Sequence, residues 1–132
     1  MMRRRDRDRS ARIFLRAFGA FFLAVFALPL LLHPYAWARA FGWREEPQTD
    51  VGLYLGRCLG ALATAICVQA LRASRQPARH RGFFSMVELG SWLLSLVHVR
   101  GLLERRQPPI EHAEIFGYAG AALLARRVRP RD

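Results

Sequence analysis

The feature that most constrains this chain is a set of three stretches, each 20 or 21 residues long and almost free of charge. They are residues 13–32 (IFLRAFGAFFLAVFALPLLL), 51–71 (VGLYLGRCLGALATAICVQAL) and 83–103 (FFSMVELGSWLLSLVHVRGLL). A helix needs about 20 apolar residues to cross roughly 30 Å of hydrocarbon, so each stretch has the length of one membrane span. A fourth, residues 110–125 (IEHAEIFGYAGAALLA), has 16 residues and carries two carboxylates near its start. A re-entrant or interfacial helix competes there with a fourth span. The expected fold is therefore an all-α integral membrane four-helix bundle. Its spans fall at about 13–32, 51–71, 83–103 and 110–126, between basic tails at 1–12 and 127–132 that are expected to be unstructured over 1–10 and 127–132.

The basic residues give an independent test. All 21 are arginine, against 10 acidic residues, for a net charge of +11. Fifteen of them lie before or just inside the first span, between the second and third, or after the fourth; only four lie in the other two connections. That alternation places both termini in the cytoplasm by the positive-inside rule. It also explains why mean hydropathy is close to zero, +0.05, although 52% of the residues are hydrophobic. The apolar spans cancel the arginine segments. Disorder is excluded by the apolar fraction. A basic chain of this size also invites a nucleic-acid reading, but arginine tails on spans more simply set topology and meet anionic lipid, so no specific nucleic acid is expected.

A cleavable leader is disfavoured. Ala36-Trp37-Ala38 resembles a cleavage site and SARIFLR loosely resembles a twin-arginine signal. The apolar stretch, however, exceeds the usual ~7–15 residues, and Ala11 stands where an arginine belongs. Punctuation agrees with an uncleaved span. Pro29 kinks its outer end, His33-Pro34 ends it, and Tyr35, Trp37, Phe41 and Trp43 follow as an interfacial aromatic belt. Pro108-Pro109 marks a tight turn into the fourth helix. Cys58 and Cys67 lie nine residues apart on one helix, about 13 Å at 1.5 Å per residue, too far to form a disulfide with each other.

Small residues mark expected helix contacts. Gly52, Gly56 and Gly60 recur every four residues, and with Ala63 and Cys67 they share one helix face. Ala113, Gly117, Ala121 and Ala125 form a similar series in the fourth helix. Without a hydrophobic force between helices in lipid, such residues allow the close backbone approach that holds helices together. The contact is either within the chain or between copies of it.

Intramembrane polar residues are costly and need a partner or a purpose. On the outer side these are Arg57, His98, Glu111, His112 and Glu114, with Arg100, Glu104 and His33 close by; Arg16 and Glu88 lie toward the inside. Glu88, Ser91, Ser95 and His98 form a polar seam along one face of the third helix, expected to face the bundle interior. Three readings compete. One is structural pairing, Arg57 with Glu114 and Glu88 with Arg16. Another is a pocket around Arg57, His98 and Glu114 that binds a small ligand or relays protons. The last is a metal or haem site using His33, His98 or His112 with Glu111. With no tight ligand motif, no metal or cofactor is assigned. There is also no nucleophile elbow, P-loop, dinucleotide fingerprint or zinc-protease motif, and Ser91 and Ser95 beside His98 lack an orienting acid. No catalytic residue is assigned, and an enzyme is not the favoured reading.

The arrangement resembles the DoxX-like small bacterial membrane proteins over residues 13–103. The residues that carry this are Leu28-Pro29, His33-Pro34, Phe41-Gly42 and Tyr54-x-x-Arg57-x-x-Gly60. The resemblance implies a four-helix inner-membrane protein that accompanies redox or small-molecule metabolism without a catalytic role of its own. Glu111-His112-Ala113-Glu114 has no counterpart in that pattern. Small multidrug exporters share the size, but an essential carboxylate is expected in their first span, where this chain has Arg16. The expected role is a non-catalytic accessory or interaction protein, its partners being the bilayer and a membrane protein or a second copy. A small transporter or ligand-binding protein is the alternative, and a redox subunit with a histidine-bound cofactor is a third.

Overall fold

The computed structural model describes residues 4–44 and 48–131, and all of its regular structure there is helical. The elements are α1 (Arg4–Phe22), a π-helical turn (Leu23–Ala27), α2 (Leu28–Leu32), α3 (Pro34–Ala40), α4 (Asp50–Ala73), a 3-10 turn (Pro77–His80), α5 (Arg81–Glu104) and α6 (Glu111–Val128). Among the described residues three helical stretches are long and apolar enough to cross a membrane: Arg5–Leu32, Asp50–Ala73 and Pro77–Glu104. Their outward faces are apolar. Leu62, Leu96, Val97 and Leu103 expose between 63% and 78% of their surface. Aliphatic cover on that scale is more than a water-facing surface commonly carries. α6 is not among the three, since its 18 residues include Glu111, Glu114, Arg126 and Arg127.

The expectation of an unstructured N-terminal tail over 1–10 fails for its described residues: 4–10 already belong to α1. Ser10 Oγ donates to Asp6 O at 2.9 Å, and Ala11 and Leu15 are fully buried. The apolar face begins inside the charged stretch, which extends the helix backward. The C-terminal tail is likewise partly helical, because α6 continues to Val128. The aromatic belt expected in an outer loop is also partly helical, since Pro34 at the first position of α3 starts a new helix.

The chain divides into two compact units, Arg16–Arg72 and the remainder, Met1–Leu15 with Ala73–Asp132. Within Arg16–Arg72, α4 runs antiparallel to the helices before it, and glycine makes the approach possible. A Cβ on Gly60 would meet Leu31 N and lie 2.5 Å from Leu31 Cα and 2.8 Å from Leu30 C, all backbone. One on Gly56 would lie 2.6 Å from Pro34 Cβ, and one on Gly52 would meet the Tyr35 hydroxyl. At the other end, a Cβ on Gly19 would lie 2.9 Å from Leu71 Cγ and 3.0 Å from Cys67 O.

Pro29 explains the irregular turn in this unit. It has no N–H to give to the carbonyl of Val25 one turn back, and the chain relaxes into π geometry over Leu23–Ala27. The indole N–H of Trp37 donates to that Val25 oxygen at 3.0 Å, with its ring packed on Phe26 and Phe41. In lipid such a carbonyl needs a donor from within the protein. Tyr35 closes the unit: its hydroxyl donates to Thr49 O and accepts from Thr49 N, both at 2.8 Å. Thr49 in turn caps α4, its Oγ1 accepting from Gly52 N at 3.0 Å.

In the second unit α5 and α6 form an antiparallel hairpin. Phe84, Val87, Ser91, Ser95 and His98 make up the buried face of α5; Glu111, Tyr118, Ala122, Ala125 and Val128 make up that of α6. The packed stripe of α6 therefore runs through Ala122 and Ala125. Gly117 has open space where a Cβ would sit, and Ala121 is only half-buried. Polar bonds tie the two helices at intervals. Ser95 Oγ donates to Ile115 O at 3.1 Å in the middle. Arg129 Nη1 donates to Ser85 Oγ at 2.8 Å near the open end, where Arg81, Ser85, Arg129 and Arg131 line a cavity of about 340 Å³. At the turn, α5 ends with Arg105 in the left-handed region (φ 53°), where Arg105 N bonds Leu102 O and Arg106 N bonds Gly101 O.

Candidate functional site: a histidine between two carboxylates

The turn end of the hairpin holds the one group of three or more possible metal ligands among the described residues: His98, Glu111 and Glu114. His98 comes from the buried face of α5, two turns before the helix ends. Glu111 and Glu114 come from the first turn of α6, three residues apart and so on one face. Pro108 and Pro109 set that start, their carbonyls accepting from Glu111 N and His112 N at 3.1 Å each. Carboxylates are favoured at such a helix N-terminus by the partial positive charge of its free N–H groups.

His98 Nδ1 lies 3.4 Å from Glu111 Oε2, and His98 Nε2 lies 3.3 Å from Glu114 Oε2. The side chains of His98 and Glu111 are 11% and 3% exposed, and that of Glu114 is 23% exposed, so the site opens on the Glu114 side. His98 Nδ1 is buried and has no correctly directed hydrogen bond among the described residues. Tyr118 stacks on the imidazole with ring centroids 5.4 Å apart, and its hydroxyl interacts electrostatically with Glu114. Gln107 Nε2 donates to the His98 carbonyl at 2.9 Å, its side chain lying across Gly101, where a Cβ would collide with it. The ring is thus held from the side, from its own backbone and by both carboxylates.

The residues singled out from the sequence divide clearly. His98, Glu111 and Glu114 meet, and Ser95 and Ser91 continue below them as buried positions of α5. His112 is half-buried and outside the cluster. Glu88 is half-buried, and no ion pair is found for it among the described residues. Arg57 and His33 are exposed and belong to the other unit; the cluster is built without them. Two contributors were not anticipated. Tyr118 shares the α6 face of Glu111 and Glu114, a spacing visible in the sequence, whereas Gln107 lies in the turn and carries no such signal.

No protein-family model matches the chain, and neither does any curated protein sequence or solved structure. The reading of the site therefore rests on its own geometry.

Proposed function

We propose that this chain is a small multi-pass protein of a bacterial cytoplasmic membrane, a four-span bundle with both termini cytoplasmic, acting as a non-catalytic accessory to a membrane partner. The observation that carries the reading is the set of three helices with spanning length and apolar outward faces. The arginine distribution supports the orientation, and with it the fourth span: an even number of crossings returns the basic C-terminus to the side of the basic N-terminus. α6 extends about 27 Å at 1.5 Å per residue, close to the hydrocarbon thickness, with its carboxylates at one end and its arginines at the other. The DoxX-like resemblance belongs to this proposal. Single cysteines at Arg44, Ala78 and Arg106, in a background lacking Cys58 and Cys67, test the topology. Membrane-impermeant reagent labels 44 and 106 from outside and 78 only after the membrane is opened. Labelling of all three from one side contradicts it. A stoichiometric partner retained in mild detergent tests the accessory role.

The convergence of His98, Glu111 and Glu114 favours a second reading, a ligand-binding or transport protein. Replacing Glu88 and Glu114 by Gln separates the two. Lost proton-coupled uptake in vesicles at unchanged thermal stability supports transport, whereas lost stability alone supports a structural role.

A further inference from the structure

At the end of the hairpin away from its turn, the first turns of α5 and the residues that follow α6 enclose an open cavity of about 340 Å³. Arg81, Gly82 and Ser85 line it from one side, and Arg129, Pro130 and Arg131 from the other. We infer that this cavity binds the phosphate group of an anionic phospholipid at the membrane surface. The inference goes beyond the accessory role. It rests on the membrane-spanning part of that reading, and not on which side either terminus faces.

The lining is the first argument. Three of its six residues are arginines and none is acidic. A guanidinium presents a planar fork of N–H donors that matches two oxygens of one phosphate. The start of α5 adds to this field, since its first turn holds no acidic residue and no side chain caps it. Arg100 shows the contrast: it is matched by Glu104 at 2.8 Å. Among the described residues neither Arg129 nor Arg131 has such an ion pair.

The arginines are also held in place. Arg129 leaves α6 with ψ 126°, the extended conformation that a following proline favours, and Pro130 itself is buried. Arg129 and Arg131 therefore flank an anchored residue. Arg81 Nη2 donates to Arg131 O at 3.3 Å, which ties this segment to the start of α5. Arg129 Nη1 donates to Ser85 Oγ at 2.8 Å, using one of its five N–H donors and leaving the serine proton to donate in turn. Neither bond neutralises a charge. At Gly82 nothing lies within 4 Å of where a Cβ would sit, so the mouth is open there.

The surroundings select the source of the phosphate. Exposed apolar residues begin directly beneath the arginines: Met86 and Leu89 on α5, Leu123 and Leu124 on α6. At 1.5 Å per residue, Leu89 lies about 6 Å along the axis from Ser85. A phospholipid carries phosphate at one end and hydrocarbon at the other, and so meets both surfaces at once. A free phosphate would meet only the arginines. Basic pockets between spanning helices at the membrane surface suit anionic headgroups in this way. The volume, about 340 Å³, is at the small end of ligand pockets, which run to about 1,000 Å³, and suits a headgroup rather than a whole lipid.

The test uses the full-length protein, delipidated in nonionic detergent and titrated with phosphatidylglycerol, phosphatidylcholine or inorganic phosphate, with native mass spectrometry counting what each chain retains. One phosphatidylglycerol per chain is expected, held about tenfold more tightly than phosphatidylcholine, as charge-assisted bonds require. The double variant Arg129→Gln/Arg131→Gln should weaken it by about tenfold or more, and Ser85→Ala by a smaller factor. Arg126→Gln/Arg127→Gln removes the same charge from α6 outside the cavity and should leave binding unchanged. Helix circular dichroism checks that each variant folds. Equal weakening by the two double variants, or equal retention of the two lipids, overturns the site. Displacement of phosphatidylglycerol by an equal concentration of inorganic phosphate overturns the lipid assignment. Labelling at Arg44, Ala78 and Arg106 separates the two failures. Lipid binding absent with the labelling pattern intact overturns the cavity alone, whereas all three positions labelled from one side overturns the membrane-spanning reading beneath it.

Discussion

Adding a single methyl group at Gly60 probes the packing of Arg16–Arg72 most sharply. The new Cβ would lie 2.5 Å from Leu31 Cα, and ordinary contact begins at 3.4 Å, so the backbones must part by about 0.9 Å. The obstructing atoms are backbone of Leu30 and Leu31 and cannot rotate away. Overpacking of this kind costs about 1–3 kcal/mol, and Ala recovers about 1 kcal/mol through its better helix propensity. Because that obstruction is fixed backbone, the overpacking falls at the upper end of its range, and Gly60→Ala should destabilise by about 2 kcal/mol. A graded series follows from the same geometry. Gly56→Ala meets the rigid Pro34 ring at 2.6 Å and should be the next most harmful; Gly19→Ala meets mainly the Leu71 side chain, which can adjust, and should cost less. Gly117→Ala, with nothing within 4 Å, should be neutral or stabilising by up to about 1 kcal/mol. Reversible unfolding in mixed micelles with a rising fraction of SDS, followed by helix circular dichroism, measures all four. Gly60→Ala as stable as the wild type, or Gly117→Ala as harmful as Gly60→Ala, would refute the close backbone approach.

Three more outcomes follow from local geometry. Trp37→Phe keeps an aromatic ring but removes the donor to Val25 O, and should cost about 1–2 kcal/mol in the same unfolding assay; in a Pro29→Ala background, where residue 29 regains its N–H, the loss should shrink. Tyr35→Phe deletes both hydroxyl bonds to Thr49 and should lower stability by about 1–2 kcal/mol, with faster hydrogen exchange over the first turn of α4. Arg105→Gly relieves a side chain held at φ 53° and should raise stability by about 1 kcal/mol, read as a shift in the unfolding midpoint.

The three helices of spanning length could be read from the chain because crossing lipid requires a length that composition must satisfy. The stretch 51–71 lies within Asp50–Ala73, and 83–103 within Arg81–Glu104. The polar seam of α5 was legible for a related reason, since 3.6 residues per turn bring Ser91, Ser95 and His98 to one face, and all three are buried. The cluster itself was only half legible. Glu111 and Glu114 share a face by spacing, but their meeting with His98 depends on the turn between two helices, which no periodicity encodes. The same holds for Gly19 against Cys67 and Leu71, and for Trp37 reaching back to the carbonyl that Pro29 leaves without its donor. The α6 stripe shows the opposite limit. Ala113, Gly117 and Ala121 are as small as Ala122 and Ala125, and size alone does not say which face meets α5.

α5 and α6 bring His98 and Glu111 together at the turn end of one hairpin. A double-mutant cycle of His98→Gln and Glu111→Gln, measured by reversible unfolding in mixed micelles, tests it most directly. At 3.4 Å the two side chains should be coupled by about 0.5–3 kcal/mol, so the double variant departs clearly from the sum of the singles. Additivity within about 0.3–0.5 kcal/mol, the behaviour of sites that do not touch, would contradict the site and the hairpin that builds it.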